Sequence, residues 1–294
     1  METKKNIPIS NFAERQRKDF EFEIITNKQL LLHDLPKDYN PFRPHRLHYY
    51  AILFIREGEG KHFVDFKQYD YQPITIIFIA KGQVHAFEAN FDRRATFLLF
   101  TQSFLEKSSL GSNLMQQLSL YNYNINHPIL NLEKENFEVF STLVNQIETE
   151  YHAPDDYATE EIIQSALKMF LLLADRIRKI NISQNHNLAY RKEFLQFQNL
   201  LNEHLFETRR VQFYANEMQI STKKLNMITQ EMVHLPAKNY INEQLILEIK
   251  RFLMNTGLSV KEIAYESGFE EPTNFVKFFK KYAGMTPVAF RKGF

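Results

Sequence analysis

The chain has 294 residues, 44% of them hydrophobic and 24% charged, with 36 Lys and Arg against 35 Asp and Glu. This composition excludes global disorder and leaves room for roughly two domains of about 150 residues each. With no cysteine, disulfides, thiolate metal sites and cysteine nucleophiles are excluded, in keeping with a reducing compartment.

The charge is unevenly placed. Residues 190–294 hold 15 Lys and Arg against 11 Asp and Glu, and the residues before them hold 21 against 24. The C-terminal part is therefore the better suited to a polyanion. The opening segment, METKKNIPISNF, has no apolar run of signal-peptide length. No stretch approaches the roughly 20 apolar residues that cross a bilayer as a helix. The expectation is a soluble, cytoplasmic protein without a membrane partner.

From about Asn40 to Phe100 the chain reads as short strands with turns between them. Tyr50–Arg56 is apolar and β-prone, and Glu57-Gly58-Glu59-Gly60 is a turn. Lys61–Phe66 alternates, which puts His62, Val64 and Phe66 on one face and Phe63 and Asp65 on the other. Ile74–Ile79 and Thr96–Phe100 are further buried strands, and Lys81-Gly82 is another turn. This spacing predicts a small β-barrel or sandwich.

The hydrophobic period then becomes helical. Phe137, Phe140, Val144 and Ile147 share one helix face. After a break at His152-Ala153-Pro154-Asp155, a second helix runs from about Thr159 to Ile180. Its stripe is Ile163, Leu167, Phe170, Leu171, Ala174 and Ile177. These stripes either dimerise or pack on their own barrel. Asn181–Asn187 is polar and reads as a linker, and from Tyr190 onward the chain is helical in short segments.

Two segments near the C-terminus share one grammar. Ser259 caps a helix with Glu262 as its capping-box partner, and Ile263 and Ala264 face inward. Gly268 ends that helix, Phe269 anchors the turn, and Pro272 opens the next helix. Phe275, Phe278 and Phe279 form its apolar side, with Val276, Lys277, Lys280 and Lys281 outward. Upstream, Val211–Met218 is a short helix and Ile220-Ser221 a turn. Thr222–Met232 is a second helix, with Lys223, Lys224 and Asn226 outward and Leu225 and Ile228 inward. A long helix, about Ala237–Asn255, joins the two segments. Each reads as a helix-turn-helix unit, although a solvated helical bundle fits the pattern alone equally well.

Five features together resemble the closing signature of the AraC/XylS family of transcription regulators. They are Ile263-Ala264, Gly268-Phe269, the Phe-rich helix ending at Lys280-Lys281, Gly284-Met285-Thr286-Pro287 and Phe290-Arg291. Phe290 stands where the family more often has tyrosine. The likeness is close over the last hundred residues and looser over the whole chain. It implies that the second helix of each unit enters the major groove, the two spaced by one turn of about 34 Å. Pro272, Thr273, Asn274 and Lys277 would then meet bases or nearby phosphates, as would Lys223, Lys224, Asn226 and Met227 in the first unit. Lys280 and Lys281 fit phosphates. Met227 replaces a polar or basic reader and would meet either a thymine methyl or no base at all, and His234 stands where a turn glycine is usual.

The segments PFRPHRLHYYAILFIREGEG and IFIAKGQVHAF resemble the two motifs of the cupin-type sensor domain found in that family. His45, His48 and His85 are imidazoles of the kind that hold Zn, Fe or Cu. Ala51, however, takes the place of the cupin glutamate, and His45 and His48 point to opposite faces of an extended strand. The expectation is neither metal nor other cofactor. An interior lined by Arg46, His48, Tyr50, His62, His85 and Phe87 suits a small effector, and Phe54 and Phe78 read as core. An inward Arg46 would select an anionic effector, while a surface position is equally open to it.

The resemblance thus implies an α+β protein of two domains. A cupin-like β-barrel regulatory domain is expected at 1–132 and a helical dimerisation region at 133–182. A linker is expected at 183–189 and an all-α domain of two helix-turn-helix units at 190–294. The implied function is a sequence-specific, effector-controlled regulator, an activator and not an enzyme, with an operator, RNA polymerase and a second copy as partners. Two other functions stay open. One is a regulator whose barrel only dimerises or holds a partner. The other is a metal-dependent cupin enzyme, against which the missing glutamate argues.

Overall fold

A computed structural model of the chain describes residues 9–10, 21–27, 42–88, 94–107, 114–118, 120–121, 127–183 and 188–293. They fall into two compact units that part near residue 180, each with its own core.

The first unit is built on ten described strands: β1 (Ile9–Ser10), β2 (Phe22–Thr26), β3 (His45–Leu47), β4 (Tyr50–Glu57), β5 (Gly60–Val64), β6 (Lys67–Tyr71), β7 (Thr75–Ile79), β8 (Val84–Phe87), β9 (Arg94–Phe100) and β10 (Ile129–Asn131). One sheet has the order β1-β3-β8-β5-β6 and the other β10-β7-β4-β9-β2. All pairings are antiparallel except that of β1 with β3. Helices α1 (Gln102–Glu106), α2 (Leu114–Gln117), α3 (Lys134–His152) and α4 (Thr159–Ser183) follow β9 and β10.

The second sheet is covered on both sides, which is why its strands read as unbroken apolar runs. Ala51, Leu53, Ile55, Ile77, Ile79, Phe97 and Leu99 belong to the core between the sheets. Their sequence neighbours Ile52, Phe54, Ile76, Phe78, Leu98 and Phe100 belong to a second core with Phe140, Val144 and Ile147 of α3 and Ile163, Leu167, Phe170, Leu171 and Ala174 of α4. The apolar stripes of α3 and α4 are therefore spent on their own sheet, as one of the two sequence readings required. Phe54 stacks on Phe137 at 5.4 Å and meets Phe170 edge-on at 6.3 Å. Truncating such a ring to alanine costs about 3–5 kcal/mol.

One local expectation fails. The alternation of Lys61–Phe66 stops at Val64, because Val64 pairs with Lys67 across a two-residue turn. Asp65 (φ 47°) and Phe66 (φ 68°) are both left-handed, the geometry that suits a two-residue hairpin loop to the twist of its strands. The Asp65 carboxylate accepts from Gln83 Nε2 at 2.6 Å and from the Val84 N–H at 3.3 Å, which ties this turn to the start of β8.

The second unit is helical: α5 (Leu188–His204), α6 (Val211–Glu217), α7 (Thr222–Val233), α8 (Ala237–Asn255), α9 (Val260–Glu266), α10 (Pro272–Ala283) and α11 (Pro287–Gly293). Residues 184–187 of the expected linker lie outside the described residues. The capping box forms as read: the Ser259 hydroxyl accepts from the Glu262 N–H at 3.2 Å, and the Glu262 carboxylate accepts from the Ser259 N–H at 2.6 Å. Ser221 likewise caps α7 by accepting from the Lys224 N–H at 3.1 Å. Such caps are worth about 1 kcal/mol each.

Candidate nucleic-acid interface and sensor interior

Each of the two helix-turn-helix units keeps its apolar side inside the second domain and turns its polar side to solvent. In the second unit Ile263, Ala264, Phe269, Phe275 and Phe279 are buried, while Thr273, Asn274, Lys277, Lys280 and Lys281 of α10 are exposed and Pro272 is half-buried. Lys280 and Lys281 lie in the last turn of α10, where the carbonyl end of the helix favours cations. Gly268 makes the turn. Its φ is 73°, and a Cβ there would lie 1.9 Å from the Phe206 carbonyl oxygen.

The first unit is less simple. Leu225 and Ile228 are fully buried and Lys223 is exposed, as the pattern required, and Met227 is 49% exposed. Lys224 is drawn to Glu193 of α5, 2.6 Å away. Asn226, expected as a base reader, also makes contacts within the domain. Its Oδ1 accepts from the Ala237 N–H at 2.9 Å, satisfying the first turn of α8, and its Nδ2 donates to the Thr222 carbonyl at 2.9 Å. Each end of the amide thus makes one bond inside the domain, which ties half-buried Asn226 to the frame of the unit. His234 ends α7 at φ 56°, ψ 27°, the left-handed conformation expected of the glycine it replaces. Gln230 was missed by the sequence reading. It is exposed seven residues after Lys223 and three after Met227, a helical spacing visible in the sequence.

α8 joins the units. At about 1.5 Å per residue its length is about 28 Å, close to one turn of duplex DNA. It is bound to the second unit through Asn242 Nδ2, which donates to Tyr282 Oη at 2.7 Å, and through Arg291 Nε, which donates to the Leu253 carbonyl at 2.9 Å.

In the first domain only part of the expected effector set comes together. β3, β8 and β5 are neighbours, and their register sets His45 opposite His85 and His62 opposite Phe87. His45, His62 and His85 are buried, with ring centroids of 4.1 Å for His45–His85 and 5.3 Å for His62–His85. His62 Nε2 and His85 Nδ1 are 3.3 Å apart, close enough for one ring to donate to the other. Phe87 packs edge-on to His62 at 4.9 Å.

The other candidates lie elsewhere. His48 is exposed beyond the end of β3, and partial desolvation of its ring and the nearby Arg46 and Lys81 cations hold its pKa below the usual imidazole value. Arg46 lies on the face of β3 opposite to the buried His45 and Leu47, close to Gly82. Tyr50 faces the helices, stacked on Phe100 at 5.7 Å and against Tyr121 at 4.9 Å. A strand's two-residue period separates these positions from the interior. The trio His45, His48 and His85 is accordingly not assembled, and the described residues contain no group of three or more His, Cys, Asp or Glu arranged to hold a metal ion. No helix among them is long and apolar enough to cross a membrane.

A double-layered β domain followed by two helix-turn-helix units defines a DNA-binding regulator. Two family models match: an AraC-like ligand binding domain over residues 29–167 and a helix-turn-helix domain over residues 214–293. The chain belongs to the AraC-type transcription regulators and carries their N-terminal ligand-binding domain. Among relatives, it is 23% identical over 260 residues to the HTH-type transcriptional activator RhaS of Escherichia coli K12, covering 86% of this chain and 88% of that one. Among solved structures it is similar to ToxT from Vibrio cholerae O395, at 15% identity and a TM-score of 0.45, covering 92% of this chain and 97% of that one. It is also similar to the C-terminal domain of the response regulator YesN from Fusobacterium nucleatum, at 27% identity and a TM-score of 0.31, covering 34% and 96%.

Proposed function

We propose that the two exposed helices α7 and α10 read adjacent major grooves, with unequal means. The observation that carries this reading is the different fate of their polar faces. α10 keeps Thr273, Asn274 and Lys277 exposed for base edges, beside Pro272 at its first turn, and Lys280 and Lys281 for phosphates. In α7 the amide of Asn226 bonds within the domain and the ammonium of Lys224 is paired with Glu193, which leaves Lys223, Met227 and Gln230 as its outward side chains without such a tie. The second unit then supplies most of the charge and the hydrogen-bonded readout. The first contributes apolar contact, for which a thymine methyl suits Met227.

The effector seat is the interior between the sheets, around His45, His62, His85 and Phe87. Each imidazole offers two ring nitrogens for hydrogen bonds, which suits a small molecule rich in hydroxyl or carbonyl groups. A homodimer is supported by a row left outward on α4 after its inner stripe is buried. In that row Ile162, Met169, Leu172 and Ile180 are all more than a third exposed. The chain acts in the cytoplasm as an activator that contacts RNA polymerase, without catalysis, with a regulatory segment at 1–132, a helical segment from 133 to the end of α4 at Ser183, and a DNA-binding segment that begins with α5 at Leu188.

The test is selection of bound genomic fragments by the purified full-length chain, with and without small polyols and organic acids. Enrichment of paired boxes about one helical turn apart is expected. Recovery of fragments without a shared sequence would refute the reading.

A further inference from the structure

The segment between α5 and α6, residues 205–210, touches both helix-turn-helix units. On the side of the first unit, Tyr214 of α6 donates from its hydroxyl to the Thr208 carbonyl at 2.8 Å. At the start of α8, Lys238 Nζ donates to the Arg209 carbonyl at 2.8 Å. On the side of the second unit, the Arg209 guanidinium carbon lies 4.2 Å from the centre of the Phe269 ring and 5.8 Å from that of Phe278. Next to it, the Phe206 carbonyl presses against Gly268 so closely that no side chain fits. Phe206 also packs on Phe252 of α8, with ring centroids 5.4 Å apart.

We propose that residues 205–210 form a brace that sets the relative orientation of the two reading helices, with Arg209 as its positioning residue. The connecting helix α8 fixes the separation of the units along its axis. A rod resists stretching well, and twisting and bending less well. The brace ties the units at points off that axis and so limits the motions that α8 limits least. Arg209 suits the task because its planar cation lies over aromatic rings while its carbonyl is held by Lys238, and burial lowers its pKa without removing its charge. The function served is discrimination of operator spacing. One inserted base pair moves the second box by about 3.4 Å and turns it by about 35°. A braced pair of heads rejects that change, and a loosened pair follows it. This inference rests on the reading of α7 and α10 as the two DNA-reading helices.

The experiment uses the full-length chain and a library of random duplexes, from which the wild-type protein selects its own paired boxes. Binding is then measured on the selected duplex and on versions with one base pair added or removed between the boxes. Wild-type protein is expected to lose at least about tenfold in affinity on either change, and Arg209→Ala about threefold or less, while both bind the original duplex within a few-fold of each other. Arg209→Lys, which keeps a cation over the rings, should restore most of the spacing penalty. Lys238→Met, which releases the Arg209 carbonyl from a mostly solvent-exposed position, gives an independent route should Arg209→Ala misfold, and should relax the penalty in part. An unchanged spacing penalty in folded Arg209→Ala and Lys238→Met overturns the brace. So does an equal loss on all duplexes, which would make Arg209 a phosphate contact. If the wild-type protein selects no paired boxes, the reading of α7 and α10 falls, and the brace with it.

Discussion

Replacing Gly268 by alanine separates two demands that one glycine meets. The first is conformational: φ is 73°, and an L side chain there costs about 1–2 kcal/mol. The second is steric. The added Cβ would stand 1.9 Å from the Phe206 carbonyl oxygen, whereas real Cβ atoms keep at least 3.0 Å, so the segment must retreat by more than about 1 Å. Forcing a methyl into a packed contact costs about 1–3 kcal/mol more, for a total of about 2–5 kcal/mol. Gly284 is the internal control, with φ 74° and nothing within 4 Å of the place a Cβ would take. Gly284→Ala should therefore show the conformational cost alone. For a domain of about 100 residues these losses lower the unfolding temperature by roughly 10–25 °C and 5–10 °C respectively. Calorimetry of the full-length chain, with hydrogen exchange in α9 and α10 to assign the transition, measures both. Equal losses in the two variants would refute the close approach of Phe206 to Gly268. No loss in either would refute the left-handed turns.

His234→Gly should stabilise the second domain by up to about 1 kcal/mol, because glycine adopts the left-handed end of α7 without strain, and urea melts would show it. Asn226→Ala should cost about 0.5–2 kcal/mol of stability through the lost cap on α8. Its effect on sequence preference should be nil, so a changed base preference in a selected pool would return Asn226 to the reading set. Lys277→Ala should weaken binding to the selected operator by about 1–3 kcal/mol, with unchanged affinity in a gel-shift titration removing it from the surface. Lys281→Ala should weaken all duplexes alike and reduce the salt slope by about one, and a loss confined to one sequence would contradict a phosphate contact.

Much of the second domain was legible because its signals are local. The bounds read for the connecting helix, Ala237–Asn255, are those found. The Ser259–Glu262 box, the glycine turns and the two-faced helices are set by residues three or four apart. The first domain was legible in kind but not in detail. β1, β2 and β10 went unread, Phe66 was given the wrong face, and of six effector candidates only His62, His85 and Phe87 share the interior. His45 joined them only as a rejected metal ligand.

The sequence by itself therefore determined the class of the protein only through the family resemblance carried by Ile263–Arg291, while capping and periodicity, which are short-range, set the helices and left a solvated bundle equally open. Tertiary structure alone decided which polar groups remain available. Whether Asn226 reads a base or caps α8 depends on where Ala237 arrives, eleven residues away. Whether His62 meets His85 depends on the strand order β3-β8-β5, and whether Phe206 meets Gly268 depends on a contact across about sixty residues of chain. A side chain's hydrogen bonds can be spent only once, and the partner that takes them is chosen by the fold.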